Sequence, residues 1–207
     1  MYIFDDLITK YWQEDLLKFS QNLPFAYAPG TSYQIEENGK LLPFVNGFDY
    51  FLDENTVDTP QFGHVSLYAR DDGVDTNPSY AEYRPLFYSM QDRMGKKISS
   101  VYRVKVNCLL QNVLCGENNY NIAHVDTTTP KKLYSAIYYL NDSDGDTFMF
   151  NEYSNKDSLV EKLTISERIT PKMGRVVIFP VNQFHASSNP IKNKSRFVVN
   201  FMFAMED

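Results

Sequence analysis

From Ile98 onward the chain is a succession of short β-branched and aromatic runs separated by turn residues, a pattern that fits a strand-built body and little else. The runs predict strands near 98–114, 120–126, 132–141, 146–152, 163–170, 174–180, 183–188 and 195–204. Asp144-Gly145, Pro171-Lys172-Met173-Gly174 and Asn189-Pro190 divide several of them, and Asp144-Gly145 reads as a hairpin turn. About eight strands after helical and irregular material predict a mainly β fold with supporting α. The expected architecture is a jelly roll, or double-stranded β-helix, flanked by N-terminal helices.

The first half is expected to elaborate this core. Leu7, Ile8, Tyr11, Trp12, Leu16 and Phe19 recur at helical spacing and predict an amphipathic helix from Asp5 to Gln21. Residues 22–77 are short apolar pieces broken by prolines and glycines, and read as short strands and loops. Asn77-Pro78-Ser79 resembles a helix start, Tyr80 to Met94 carries an apolar face, and Gly95 is a stop. Pro85 either kinks this helix or marks its true first turn. With no repeat, low-complexity stretch or linker, residues 1–207 read as one domain, an elaboration over about 1–97 and a core over about 98–204.

The net charge of -6 supplies no field attractive to phosphates, so nucleic acid is not an expected partner. The N-terminus lacks a basic segment leading into an apolar run, and no apolar stretch is long enough to span a membrane. The two cysteines, Cys108 and Cys115, would lie about 23 Å apart and on opposite faces if one extended strand carried both. They are expected as reduced core thiols in a cytoplasmic protein.

Chemistry is concentrated around the three histidines. His124-Val125-Asp126 sets an imidazole and a carboxylate two residues apart, on one face if the segment is a strand. His185 follows the run Arg175-Val176-Val177-Ile178-Phe179-Pro180. Two histidines and one carboxylate on one side of a metal leave three positions open, the arrangement of non-haem iron(II) oxygenases. A single His-x-Asp arises often by chance, so the tripeptide gains weight only from its company. That company is Arg196. In Ser195–Phe203 the apolar Phe197, Val199, Phe201 and Phe203 share one face, which puts Arg196, Val198, Asn200 and Met202 on the other. An arginine pointing into a barrel needs a counter-charge, and the distal carboxylate of a dicarboxylic cosubstrate would supply one. The alternative is an edge strand with Arg196 in water. His64 belongs to no motif and is expected to be structural or superficial. Asn141 to Asp146 lacks the acidic twelfth ligand of a calcium loop.

Over residues 100–204 the chain resembles the 2-oxoglutarate/iron(II) oxygenases, closest to their prolyl-4-hydroxylase-like branch. The resemblance rests on His124-Val125-Asp126, Ala136-Ile137-Tyr138-Tyr139-Leu140-Asn141-Asp142, Asp144-Gly145-Asp146-Thr147, Pro171-Lys172-Met173-Gly174-Arg175-Val176-Val177-Ile178-Phe179, His185, Pro190 and Arg196, in that order. It implies His124, Asp126 and His185 as iron ligands and Arg196 as the anchor for 2-oxoglutarate. It further implies that Tyr139 and Asn200 contact the cosubstrate, against plain core roles for both. The family's usual tyrosine on the strand before His-x-Asp is absent, and Gln111 or Asn112 is expected in its place. Collagen-type enzymes use a lysine where this chain has Arg196, which favours other branches.

The activity so implied is hydroxylation by Fe(II), 2-oxoglutarate and dioxygen, with release of succinate and carbon dioxide and with ascorbate as an optional addition. Peptidyl proline is the expected substrate. A small metabolite, free amino acid or nucleobase is the alternative, and a non-enzymatic jelly-roll module the remote one. Substrate choice is expected in the loops 127–132, 151–162 and 59–78. The oligomeric state is left open.

Overall fold

The computed structural model describes residues 1–31, 33–35, 41–43, 50–70, 73–127, 132–154 and 160–206. Two antiparallel sheets face each other. The larger runs in the order Tyr2–Phe4, Val176–Pro180, Leu133–Tyr139, Ser195–Met205, Ile98–Leu110, Gln61–Arg70, Ala26–Ala28, with Gly73–Thr76 also paired to 61–70. The smaller runs Ile165–Ile169, Thr147–Tyr153, Gln183–Ser187, Ala123–His124, Tyr50–Phe51. Ile137, Tyr139, Val177, Phe179 and Val198 of the first sheet meet Met149 and Ile169 of the second in one core. This is the expected jelly-roll architecture.

Three apolar layers explain why the strands read as nearly continuous hydrophobic runs. Val177 and Phe179 point between the sheets, whereas Val176 and Ile178 point outward beneath the helices. A strand covered on both faces has no polar side to show. Helices α1 (Lys10–Gln21) and α2 (Tyr80–Met94) cover the outer face of the larger sheet, placing Leu16, Tyr83, Leu86, Phe87 and Met90 against Val104, Val106, Tyr138, Val199, Phe201 and Phe203. Each fully buried Phe or Leu in this layer contributes about 1.5–3 kcal/mol. The Tyr83 hydroxyl meets Ser20 Oγ at 2.8 Å and ties the two helices together. Gly95 ends α2 with φ +65°, its N–H donating to Gln91 O, as its position suggested. Pro85 lies inside α2, not at its first turn.

Several expectations are corrected. The first helix begins at Lys10, because Asp6 adopts φ 50° and breaks the register. Tyr2–Phe4 is an edge strand against Val176–Ile178, and Arg175 and Lys172 bind Asp5 beside it. Within 22–77 lies the ten-residue strand Gln61–Arg70, paired along 98–110; a bulge between Val65 and Leu67 breaks the alternation that would have revealed it. His64 belongs to this strand. The strand expected over 98–114 stops at Leu110, and Asn112 Oδ1 accepts the N–H of Leu114 in a turn. Cys108 and Cys115 therefore do not share a strand, and both are free, buried thiols. The strand expected over 120–126 is two short pieces, Tyr120–Asn121 and Ala123–His124.

Asp144-Gly145 is not a hairpin, since the strands it joins lie in different sheets. It is the crossover between them. The Asp144 carboxylate accepts N–H bonds from Ile191, Lys192 and Asn193, which pins this crossover to the loop before Ser195–Met205.

Candidate active site

The smaller sheet brings the two distant histidines together. Ala123–His124 pairs antiparallel with Gln183–Ser187, and His124 and His185 stand directly opposite each other. Opposed residues hold their Cβ atoms about 5 Å apart, and here the ring centroids are 4.6 Å apart. The flanking residues Ala123, Phe184 and Ala186 pack on the sheet's outer side, so both imidazoles face the interior. Asp126 lies just past the strand end, its N–H donating to Val181 O at 2.9 Å. One ligand atom from each of His124, Asp126 and His185 falls within 4.8 Å of the others.

The protonation pattern suits a metal. His124 Nδ1 lies 2.9 Å from Ile122 O and His185 Nδ1 3.1 Å from Gln183 O. A carbonyl only accepts, so both Nδ1 atoms carry a proton, and Nε2 of each ring is the atom that a metal would take. Burial, then the neighbouring His185, pulls His124 down to about 4, which leaves it neutral at physiological pH. Burial alone would raise the Asp126 carboxyl. The Arg103 guanidinium, assisted by the Ser135 hydroxyl, overrides it and holds the group well below the usual carboxylate range. Arg103 pairs with Asp126 Oδ1 and the Ser135 hydroxyl donates to Oδ2. Two imidazoles and one ionised, oriented carboxylate fit a ferrous ion.

Arg196 faces the interior between the sheets and is only 3% exposed. Its Nε donates to Gly145 O at 2.8 Å and its Nη2 to Thr147 Oγ1 at 2.7 Å. The Tyr139 ring sits 5.6 Å from the guanidinium carbon, and the Tyr139 hydroxyl meets Thr147 Oγ1 at 2.7 Å. Among the described residues no carboxylate pairs with Arg196. The edge-strand alternative, with this arginine in water, does not hold. Asn200 is on the same strand face, and its Oδ1 is buried without a partner among the described residues.

Residues 109–204 match the profile of the 2OG-Fe(II) oxygenase superfamily. Over this segment, a little under half of the chain, the protein is similar to that superfamily. No curated protein matches the chain. Among solved structures, an oxidoreductase of the 2OG-Fe(II) oxygenase family from Burkholderia pseudomallei superposes with a TM-score of 0.61 at 11% identity, covering 96% of this chain and 81% of its own. A Pseudomonas putida prolyl-4-hydroxylase superposes with a TM-score of 0.55 at 12% identity, covering 98% and 91%. A Trichoplax adhaerens prolyl hydroxylase, solved with a hypoxia inducible factor peptide fragment, gives a TM-score of 0.53 at 13% identity, covering 98% and 82%. These likenesses share the fold. A 2-oxoglutarate-dependent dioxygenase employs Fe(II), 2-oxoglutarate and O2, and the donor set found here accommodates the metal.

The same interior also holds residues that sequence reading passed over. Along 98–110, Val104, Val106 and Cys108 are buried, the two valines beneath the helices, so Arg103, Lys105 and Asn107 point to the inner face. The signal was present, since Arg103-Val104-Lys105-Val106-Asn107 alternates with period two. Ser135 and Thr147 carried no comparable signal. Neither Gln111 nor Asn112 takes the place of the missing tyrosine: Gln111 Nε2 donates to Ile191 O, and Asn112 caps its own turn outside the sheet. Asn107, whose Oδ1 is buried without a partner among the described residues, lies on that strand's inner face beside Lys105. His64 stays out of the site, buried on the helix side with Nδ1 at 3.0 Å from Pro24 O and Nε2 at 2.9 Å from Ser79 Oγ. The expected substrate loops lie partly outside the described residues.

Proposed function

We propose that the chain hydroxylates a peptidyl proline, holding Fe(II) on His124, Asp126 and His185 and the distal carboxylate of 2-oxoglutarate on Arg196. The observation that carries this reading is three metal-competent side chains facing the same interior as a buried guanidinium that pairs with no carboxylate among the described residues. Such a cation is costly unless something anionic completes it, and a dicarboxylic acid does so at one end while reaching the metal at the other.

The iron with its cosubstrate supplies the oxidising equivalent. The protein's part is geometry. Gly145 O and Thr147 fix the plane of Arg196, and the Tyr139 ring covers one side of it. Tyr139 and Asn200 are assigned as further cosubstrate contacts. Ser135 and Arg103 orient Asp126. Residues 1–207 act as one domain, since Tyr2–Phe4 and Gln61–Arg70 complete the sheet that carries Arg196. Two free thiols suit a reducing, cytoplasmic setting, and among the described residues no helix is long and apolar enough to cross a membrane.

Proline as target is supported by the two prolyl hydroxylases among the structural relatives, one of them solved with a peptide. The second reading, the same chemistry on a small metabolite, is favoured by Lys105, a further cation on the inner face with no hydrogen bond or ion pair among the described residues. The deciding assay is succinate release with proline-rich peptides against a panel of small molecules. Stimulation by peptides alone is expected, and turnover of small molecules alone refutes the proline assignment. Loss of Fe(II) binding in His124→Ala and His185→Ala tests the metal site directly.

A further inference from the structure

The inner face of 98–110 carries more positive charge than the oxygenase chemistry uses. Ferrous iron, Asp126, doubly charged 2-oxoglutarate and Arg196 together carry no net charge. Arg103 and Lys105 are therefore surplus. Arg103 has a task, since it orients Asp126. Lys105 has none: both oxygens of Asp126 are taken, by Arg103 and by Ser135, and Lys105 has no hydrogen bond or ion pair among the described residues.

Its position is well defined. Lys105 stands opposite Asn200 and Val65 in the sheet, two residues from Asn107 on one side and from Arg103 on the other. It lies close enough to Asp126 and Arg103 for both charges to act on it, and burial followed by Arg103 lowers its pKa to about 8. Arg103, Lys105, Asn107, Asn200 and His124 all retain partial exposure although they face inward. The interior is thus open to solvent beside His124.

Resting on the oxygenase reading, we propose that Lys105 anchors a carboxylate of the primary substrate, with Asn107 as a polar neighbour. The substrate is then a carboxylate-bearing molecule, either a free acid or a peptide with an acidic residue beside its target. An unpaired lysine in a half-buried site lowers stability unless function retains it.

The test uses wild type, Lys105→Met and Lys105→Arg, loaded anaerobically with Fe(II) and 2-oxoglutarate. L-Proline and other free amino acids are titrated against their methyl esters, and proline peptides with Glu against the same peptides with Gln. Binding is followed on the visible band of the iron chelate, and 2-oxoglutarate affinity is measured separately. Wild type is expected to prefer carboxylates over their neutral counterparts by about tenfold or more. Lys105→Met abolishes that preference, Lys105→Arg keeps most of it, and 2-oxoglutarate affinity stays within about threefold throughout. Whichever pair shows the preference, amino acid or peptide, identifies the source of the carboxylate. Metal-free Lys105→Met melts no lower than wild type, whereas loss of a merely structural lysine would lower it. Equal binding of acids and esters by wild type overturns the proposal, as does a Lys105→Met defect confined to 2-oxoglutarate. If wild type forms no chelate band, the oxygenase reading itself fails, a result distinct from both.

Discussion

Arg196→Met separates the cosubstrate anchor from the rest of the fold. The guanidinium is fixed by Gly145 O and Thr147 Oγ1 at 2.8 and 2.7 Å, so its remaining N–H groups are already oriented when a ligand arrives. Two charge-assisted hydrogen bonds to a carboxylate are worth about 3–6 kcal/mol together, at about 1.5–3 kcal/mol each. At about 1.4 kcal/mol per decade, the variant should bind 2-oxoglutarate about 10²–10⁴-fold more weakly. Apo stability should move little, because removal of a buried, uncompensated charge offsets the two lost protein hydrogen bonds. Pyruvate, which keeps the chelating end and lacks the distal carboxylate, closes the cycle. Wild type should favour 2-oxoglutarate over pyruvate by the same large factor, and Arg196→Met should bind the two nearly alike. The assay is an anaerobic Fe(II) titration on the chelate band, with thermal melting as the folding control. A folded variant that binds 2-oxoglutarate within about threefold of wild type refutes the argument, as does wild type that binds pyruvate equally well.

Ser135→Ala frees one oxygen of Asp126, and Fe(II) affinity measured by competition with a chelator should fall about tenfold or more with the fold intact. Gly145→Ala places a Cβ 2.5 Å from Ser188 O and 2.8 Å from Pro190 N, both backbone atoms that cannot step aside. The expected loss is about 1–3 kcal/mol, or roughly 2–12 °C in Tm by calorimetry, together with weaker 2-oxoglutarate binding because Gly145 O positions Arg196. Arg175 lowers Asp5 to about 2, against an ordinary value of 3.8, outweighing partial burial and assisted by Lys172. A depressed carboxylate stabilises the fold above its unfolded pKa, and that contribution disappears as pH falls from 3.8 towards 2. Both partners are partly exposed, so the amount is at most about 1 kcal/mol. Asp5→Asn should flatten the acid limb of a Tm-versus-pH curve in that window, and an unchanged limb would count against the pair.

The strands of the core could be read from the sequence because burial on both faces writes itself as continuous Val, Ile and Phe. Val176 to Phe179 and Val198 to Phe203 are the clearest cases. The rest was harder to read for local reasons. A positive φ at Asp6 displaced the helix start, a bulge at 65–67 hid the Gln61–Arg70 strand, and an Asx turn at Asn112 ended 98–110 early. Asp144-Gly145 carried true turn chemistry, but sequence alone does not say whether a turn joins partners within a sheet or passes between sheets.

The same asymmetry governs the site. The placement of Arg196 could be inferred because its strand is otherwise apolar, so a cation at that phase had to be inside. Arg103, Lys105 and Asn107 obey the same alternation, yet three polar residues in succession look like a solvated face until the partner strands are known. Only the opposition of Lys105 to Asn200, and of Asn107 to Val198, turns that stripe inward. Once inward, it outweighs the negative charge available from the protein, and the excess is a statement about the missing reactant. If the substrate were uncharged, replacing Lys105 by an apolar residue would raise stability at no functional cost. That pair of outcomes, a higher Tm with unchanged substrate selectivity, is what a neutral substrate requires and a carboxylate-bearing one forbids.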